Sequence, residues 1–197
     1  MALTIPKDFF KAYIFDCDGT LADTMPLHYR AWKKAVGEHG GDFPEDLFYS
    51  WGGRPTIVIV NELNERFGLK MPPEETVRRK ENYYLELIPE VKPVPPVVEL
   101  MHRYHGTAPL AVASGGHREL VEATLNSLGL VKYFDTMVCA EDYVHGKPSP
   151  EPFLLAAKRM GVEPQDCLVF EDGQLGVDAA VAAGMQYVFV PTPAPQE

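Results

Sequence analysis

The chain has little of what marks a nucleic-acid, membrane or disulfide-stapled protein. Basic residues are the minority, 18 Lys and Arg against 28 Asp and Glu for a formal net charge of -10, and they occur in short groups such as Lys33-Lys34 and Arg78-Arg79-Lys80. No broad basic face is expected, which argues against nucleic acid or an anionic membrane as partner. No apolar window approaches the roughly 18 residues of a spanning helix, and Pro6 to Lys11 carries charge, so neither a membrane span nor a signal peptide is expected. Only three cysteines occur, Cys17, Cys139 and Cys167, widely spaced among apolar residues. An odd count of this kind fits reduced core thiols in a cytoplasmic protein better than disulfides or a zinc cluster. Internal repeats are absent, a loose Pro-rich tail from Pro191 to Glu197 is the sole biased tract, and no obligate protein partner is evident.

What is present is enough apolar material, 46% of 197 residues, for one good core and a small second one. Ala12-Tyr13-Ile14-Phe15 reads as a buried strand that breaks into Asp16-Cys17-Asp18-Gly19-Thr20. Four similar runs follow: Pro109 to Ala113, stopping at Ser114-Gly115-Gly116; Thr136 to Cys139, followed by acidic residues; Cys167 to Phe170, stopping at Glu171-Asp172-Gly173; and Met185 to Val190. Helical spacing lies between them, with Val121, Leu125 and Leu128 on one face and Val177, Ala180, Val181 and Gly184 on another. Alternating strands and helices predict an α/β fold, a parallel sheet covered by helices, with ligands at the carboxyl ends of the strands. The polar clusters fall at those ends.

The stretch from Asp23 to about Lys92 breaks the alternation and shows only helical periodicity, for example Ile59, Val60, Leu63 and Phe67. It reads as an inserted helical domain, 23–92, within a discontinuous core of 1–22 and 93–197. Pro26 marks the start of a helix near one edge, and Pro93, Pro95 and Pro96 close the other. Hinges are expected near Asp23-Thr24 and Lys92-Pro93.

Two carboxylates one residue apart at a strand end cannot both enter the sheet core, so Asp16 and Asp18 are expected to project into a crevice, with Thr20 nearby as a candidate substrate contact. An Asp-Gly pair alone would suit a solvated turn, but here it sits inside a longer pattern of apolar strand, Asp-x-Asp-Gly-Thr and Leu21-x-Asp23. The segment Phe15-Asp16-Cys17-Asp18-Gly19-Thr20-Leu21-Ala22-Asp23-Thr24 resembles the first motif of the haloacid dehalogenase superfamily of phosphohydrolases. That family's further motifs, a Ser or Thr ending a second strand, a later loop Lys and an acidic pair ending another strand, match Ser114, Lys147 and Glu171-Asp172 in order. The helical insertion resembles the family's small helical cap on its Rossmann-type core.

The resemblance implies an Mg2+-dependent phosphatase acting on a small phosphorylated metabolite. Asp16 would be the nucleophile that forms an acyl phosphate, and Asp18 the general acid and base. Asp16, the Asp18 main-chain carbonyl and Asp172 are the matching metal ligands, with Glu171 either binding the ion directly or standing behind its ligands. Taken alone, Glu171-Asp172-Gly173 also suits a helix N-terminus. Ser114 and the Gly115 amide would donate to phosphate oxygens, and Lys147, held in a loop by Pro148, would tie Asp16 to the phosphate. Ser149 and Pro150 read as the cap and first residue of the next helix.

Thr24, His28 and Trp32 recur at intervals of four, so Thr24 and His28 are candidate substrate contacts on the first inserted helix, with Trp32 in its core. The family's sugar-phosphate branch has a His at the position of His28, and a structural histidine is the alternative. Arg54 and Lys80 are candidate contacts to a polar or second phosphate group, or else solvated surface charges. Overall the resemblance is to the β-phosphoglucomutase-like branch and its fructose-1-phosphate phosphatases, which implies a sugar phosphate. A mutase of that branch usually carries a Ser-Lys-Asn-like stretch where this chain has Gly115-Gly116-His117-Arg118, although Arg54 suits a distal phosphate. A dehalogenase needs neither Asp18 nor a metal. A phosphorylatable receiver-like signalling protein shares an Asp, a Ser or Thr, a Lys and Mg2+, but not the acid two residues on or the long insertion.

Overall fold

In a computed structural model of the chain, residues 3–7 and 9–191 are described. Strand β1 (Ala12–Phe15) runs through a tight loop into β2 (Ala22–Asp23), followed by helices α1 (Met25–Gly37), α2 (Glu45–Ser50), α3 (Thr56–Phe67) and α4 (Pro73–Leu87). Strand β3 (Lys92–Pro93) precedes α5 (Pro95–Tyr104), β4 (Leu110–Ala113), α6 (Arg118–Ser127), β5 (Thr136–Val138), α7 (Glu151–Met160), β6 (Cys167–Glu171), α8 (Gln174–Ala182) and β7 (Gln186–Phe189). Two compact units result, one from Met1–Asp23 with Lys92–Glu197 and one from Thr24–Val91. Of the Pro-rich tail, residues 192–197 lie outside the described residues.

The first unit is an α/β structure around a parallel sheet of order β5-β4-β1-β6-β7. Central β1 is buried along its whole length, as a strand covered on both faces must be. Its alternating side chains feed two cores. Tyr13 and Phe15 join Val97, Leu100 and Met101 of α5 and Val121 and Leu125 of α6. Ala12 and Ile14 join Phe153, Ala156 and Ala157 of α7 and Ala179 and Ala180 of α8, where small residues let the helices approach closely. Strands β4 and β5 lie to one side of β1, and β6 and β7 to the other. This reversal makes the carboxyl ends of β1, β4 and β6 neighbours, the position where open α/β sheets bind ligands.

Several local expectations are corrected. The insertion's edges are not purely helical, since β2 and β3 pair antiparallel, Ala22 with Pro93 and Asp23 with Lys92. Thr24 precedes α1 rather than lying on it, and its carbonyl accepts the His28 N–H at 2.9 Å. Helix α7 starts at Glu151, one residue later than expected. Pro150 is its flanking residue, while Ser149 Oγ still accepts the Glu151 N–H at 3.3 Å. In α8 the buried face runs through Gly176, Val177, Ala179 and Ala180, leaving Val181 59% exposed. Phe67, at the end of α3, is likewise 43% exposed. All three cysteines are free and buried, and among the described residues no helix is long and apolar enough to cross a membrane.

The helical unit has its own aromatic core, in which Trp32, Phe43, Phe48 and Trp51 pack with Ile59, Val60, Leu63 and Met71. Phe43 sits at its centre, with ring centroids 5.8 Å from Trp32, 5.7 Å from Phe48 and 5.7 Å from Trp51. Truncating so central a ring removes transfer energy and leaves a cavity. Phe43→Ala is expected to lower stability by about 3–5 kcal/mol, read as a shifted urea midpoint; a loss below about 1 kcal/mol would mean that Phe43 does not organise this core.

Candidate active site

Asp16 is the first residue beyond β1. Its N–H extends the ladder by donating to the Phe170 carbonyl at 3.0 Å, and its carboxylate is left at the sheet edge, 6% exposed. The chain then doubles back, with the Leu21 and Ala22 N–H groups both donating to the Cys17 carbonyl at 3.0 Å. Gly19 makes this turn at φ +84°, and a Cβ there would stand 2.2 Å from Asp172 Oδ2. Glycine is therefore required twice, by the backbone and by the carboxylate lying against it. Thr20, fully buried, donates from Oγ1 to Asp172 Oδ1 at 3.0 Å. Asp18 is half-buried, and its Oδ2 lies 3.8 Å from where a Gly116 Cβ would be, so its carboxylate faces the loop after β4.

In that loop Ser114 is 1% exposed, donates its N–H to the Val138 carbonyl at 2.9 Å and accepts the Gly116 N–H on Oγ at 3.0 Å. A serine hydroxyl that accepts still has a proton to donate. Gly115 is exposed at the tip. Tyr143, which the sequence did not single out, donates its hydroxyl to the Ser114 carbonyl at 3.1 Å. No spacing rule marks a tyrosine four residues before a loop lysine.

Lys147 reaches this point from the loop before α7. Its Nζ donates to Asp16 Oδ1 at 2.7 Å and Glu171 Oε1 at 2.5 Å, and it lies 4.9 Å from the Phe153 ring centroid. Glu171 ends β6 and uses Oε2 to accept the Gly173 N–H at 2.7 Å, ahead of α8. Asp16, Glu171 and Asp172 each bring one oxygen within 4.8 Å of the others.

One ammonium thus faces three clustered carboxylates. Burial works against the charge on Lys147, yet Asp16 and Glu171 together hold its pKa above the ordinary lysine value. Asp16 shows the opposite of a simple ion pair. Burial drives its carboxyl well above the usual range, Lys147 pulls it back, and Glu171, Asp172 and Asp18 push it up again. Asp172 is pushed up to about 7, mainly by burial and then by Glu171, against the Thr20 hydrogen bond and Lys147. Adding positive charge at this cluster of hard oxygen donors would relieve that excess, so the residues fit a small divalent cation.

Thr24, His28, Arg54 and Lys80 belong to the helical unit. Within it Lys80 is 5% exposed, so it is not a solvated surface charge, and its Nζ lies 3.0 Å from His28 Nδ1. An ammonium only donates, so Nδ1 accepts and a neutral His28 carries its proton on Nε2. The imidazole stacks on Tyr84 with centroids 3.9 Å apart. Arg54 is paired with Glu62 at 2.6 Å, its guanidinium 5.1 Å from the Trp51 ring centroid. Trp32 is core.

Comparison with known proteins agrees with this architecture. Residues 10–184 match the family model of haloacid dehalogenase-like hydrolases. Fructose-1-phosphate phosphatase YqaB of Escherichia coli is 40% identical over 92% of this chain and 96% of its own length. A phosphorylated carbohydrates phosphatase of Thermotoga maritima is 34% identical over 91% of this chain and 84% of its own. Among solved structures, a β-phosphoglucomutase of Clostridium difficile is 29% identical, with a TM-score of 0.82 covering 91% of this chain and 83% of that one. The chain belongs to the haloacid dehalogenase-like hydrolases. Within that family it is a phosphoric monoester hydrolase.

The charge balance gives a pH prediction. A carboxyl whose folded pKa is raised stabilises the fold below its unfolded value and loses that contribution as pH rises through the folded one, for Asp172 from about 4 to about 7. In metal-free protein, Asp172→Asn is therefore expected to raise Tm most at pH 8, less at pH 5, and to change it little at about pH 4 or below. An equal effect at pH 8 and pH 4 would contradict the buried-charge account.

Proposed function

We propose that the protein is an Mg2+-dependent phosphatase of small sugar phosphates, working through an aspartyl-phosphate on Asp16. The observation that carries this reading is the Lys147 ammonium bridging Asp16 and Glu171, with Asp172 beside them at neighbouring strand ends. Lys147 engages Asp16 Oδ1, which leaves the other oxygen to attack phosphorus. The P–O bond to the sugar breaks as the Asp16–phosphorus bond forms, and Asp18 gives its proton to the departing alcohol. Water then attacks phosphorus and gives a proton back to Asp18, and phosphate and free Asp16 result. Ser114 Oγ–H and the Gly115 amide hold phosphate oxygens through this sequence.

Asp16 and Asp172, with the Asp18 main-chain carbonyl and Glu171 directly or just behind, would hold Mg2+, which supplies charge neutralisation for an anionic nucleophile meeting a dianionic phosphate. The sugar-phosphate assignment rests on the names of the relatives and makes fructose 1-phosphate the first substrate to test. Thr24 and the His28–Lys80 pair are carried forward as contacts of the helical unit to substrate, Thr20 being engaged with Asp172.

Hydrolysis is favoured over phosphosugar transfer because Gly115-Gly116-His117-Arg118 stands where mutases of the branch usually carry a Ser-Lys-Asn-like stretch, and the side chains of this stretch and Arg54 face carboxylates. His117 Nδ1 lies 2.9 Å from Glu141, Arg118 pairs with Asp142 at 2.5 Å, and Arg54 pairs with Glu62. Phosphate release should appear on one or a few sugar phosphates with Mg2+ and vanish in EDTA. Asp16→Asn should abolish it and Asp18→Asn should lower kcat by about 10²–10⁴. Conversion of β-glucose 1-phosphate to glucose 6-phosphate without phosphate release would replace this reading with a mutase.

A further inference from the structure

Glu171 has both carboxylate oxygens engaged, Oε1 by Lys147 and Oε2 by the Gly173 N–H, on a side chain that is 5% exposed. That carboxylate lies against the first turn of α8, in which Gly176 is the third residue. A Cβ on Gly176 would stand 1.9 Å from Glu171 Oε1, 2.0 Å from Cδ and 2.6 Å from Cγ, so the three nearest atoms all belong to this one side chain. The backbone makes no demand for glycine here, because Gly176 is helical and absent from the positive-φ glycines. A glycine inside a helix is disfavoured relative to alanine, which leaves the space above it as its reason. Gly19 serves Asp172 in a similar way, although there the turn imposes glycine as well.

We propose that Gly176 is a positioning residue: the notch left by its missing side chain seats the Glu171 carboxylate against Lys147 and so fixes the ammonium on Asp16. A methyl group in the notch forces Glu171 outward, and a buried side chain cannot move without giving up Lys147, the Gly173 N–H or both. The consequence for turnover rests on the reading of Asp16 given above, whereas the consequence for stability does not.

A double-mutant cycle of Gly176→Ala and Glu171→Ala tests this, read as Tm of the metal-free protein and as kcat/KM. Gly176→Ala alone should lower Tm, against the usual helix preference for alanine, and reduce kcat/KM about tenfold to hundredfold. In the Glu171→Ala background the same change should raise Tm and alter kcat/KM by less than about twofold. A Tm gain in the unchanged background, or the same Tm loss in both, would overturn the proposal. If Gly176→Ala does not fold, a folded double variant supports the notch, and an unfolded one beside a folded Glu171→Ala refutes it. If the unchanged protein turns over no phosphate ester, the functional reading fails and the Tm cycle still decides the role of Gly176.

Discussion

The structure is organised around an imbalance of buried charge. Lys147 supplies one ammonium to a site at which Asp16, Glu171 and Asp172 all bring carboxylate oxygens together. Desolvated charges of one sign are tolerated only where partners, hydrogen bonds or a bound ion compensate them, and the compensation here is partial. The remaining excess is what suits the cluster to a divalent cation. Much of the surrounding sequence holds the carboxylates in place: Thr20 and the Gly19 turn for Asp172, the Gly173 amide for Glu171, and the β1–β6 ladder for Asp16.

Sheet topology brings these groups together. Asp16, Ser114 and Glu171-Asp172 are far apart in sequence, yet they lie at the carboxyl ends of β1, β4 and β6, which are adjacent and parallel. The reversal of strand order at β1 opens the crevice in which their loops meet. Tyr143 ties the loop region that carries Lys147 to the strand end that carries Ser114. Within the helical unit a lysine is buried against a histidine, a contact that gives a neutral His28 a defined tautomer.

Strands and their polar ends were legible in the sequence because parallel strands buried on both faces read as short apolar runs that stop abruptly. Asp16 and Asp18 stand out in the sequence at an abrupt strand end, whereas Ser114, Lys147, Glu171 and Asp172 are singled out by the resemblance to the family's motif order. Other features were not legible. The two-residue strands β2 and β3 are too short for any periodicity, and helical spacing alone does not give the exposure of Val181 and Phe67. Lys80 looked like one member of a basic triplet, and only the packing of α4 against α1 reveals it as buried. Gly176 could be read from sequence as a helical glycine; that its space is filled by the Glu171 carboxylate requires coordinates.

The central claim is that Asp16 accepts the phosphoryl group. Hydroxylamine converts an acyl phosphate to a hydroxamate, so quenching the enzyme with hydroxylamine during turnover of a sugar phosphate, digesting it and mapping the product by mass spectrometry tests the claim directly. The account predicts a hydroxamate on Asp16 that requires both substrate and Mg2+. Continued turnover with the label on another residue, or with no label, would contradict it.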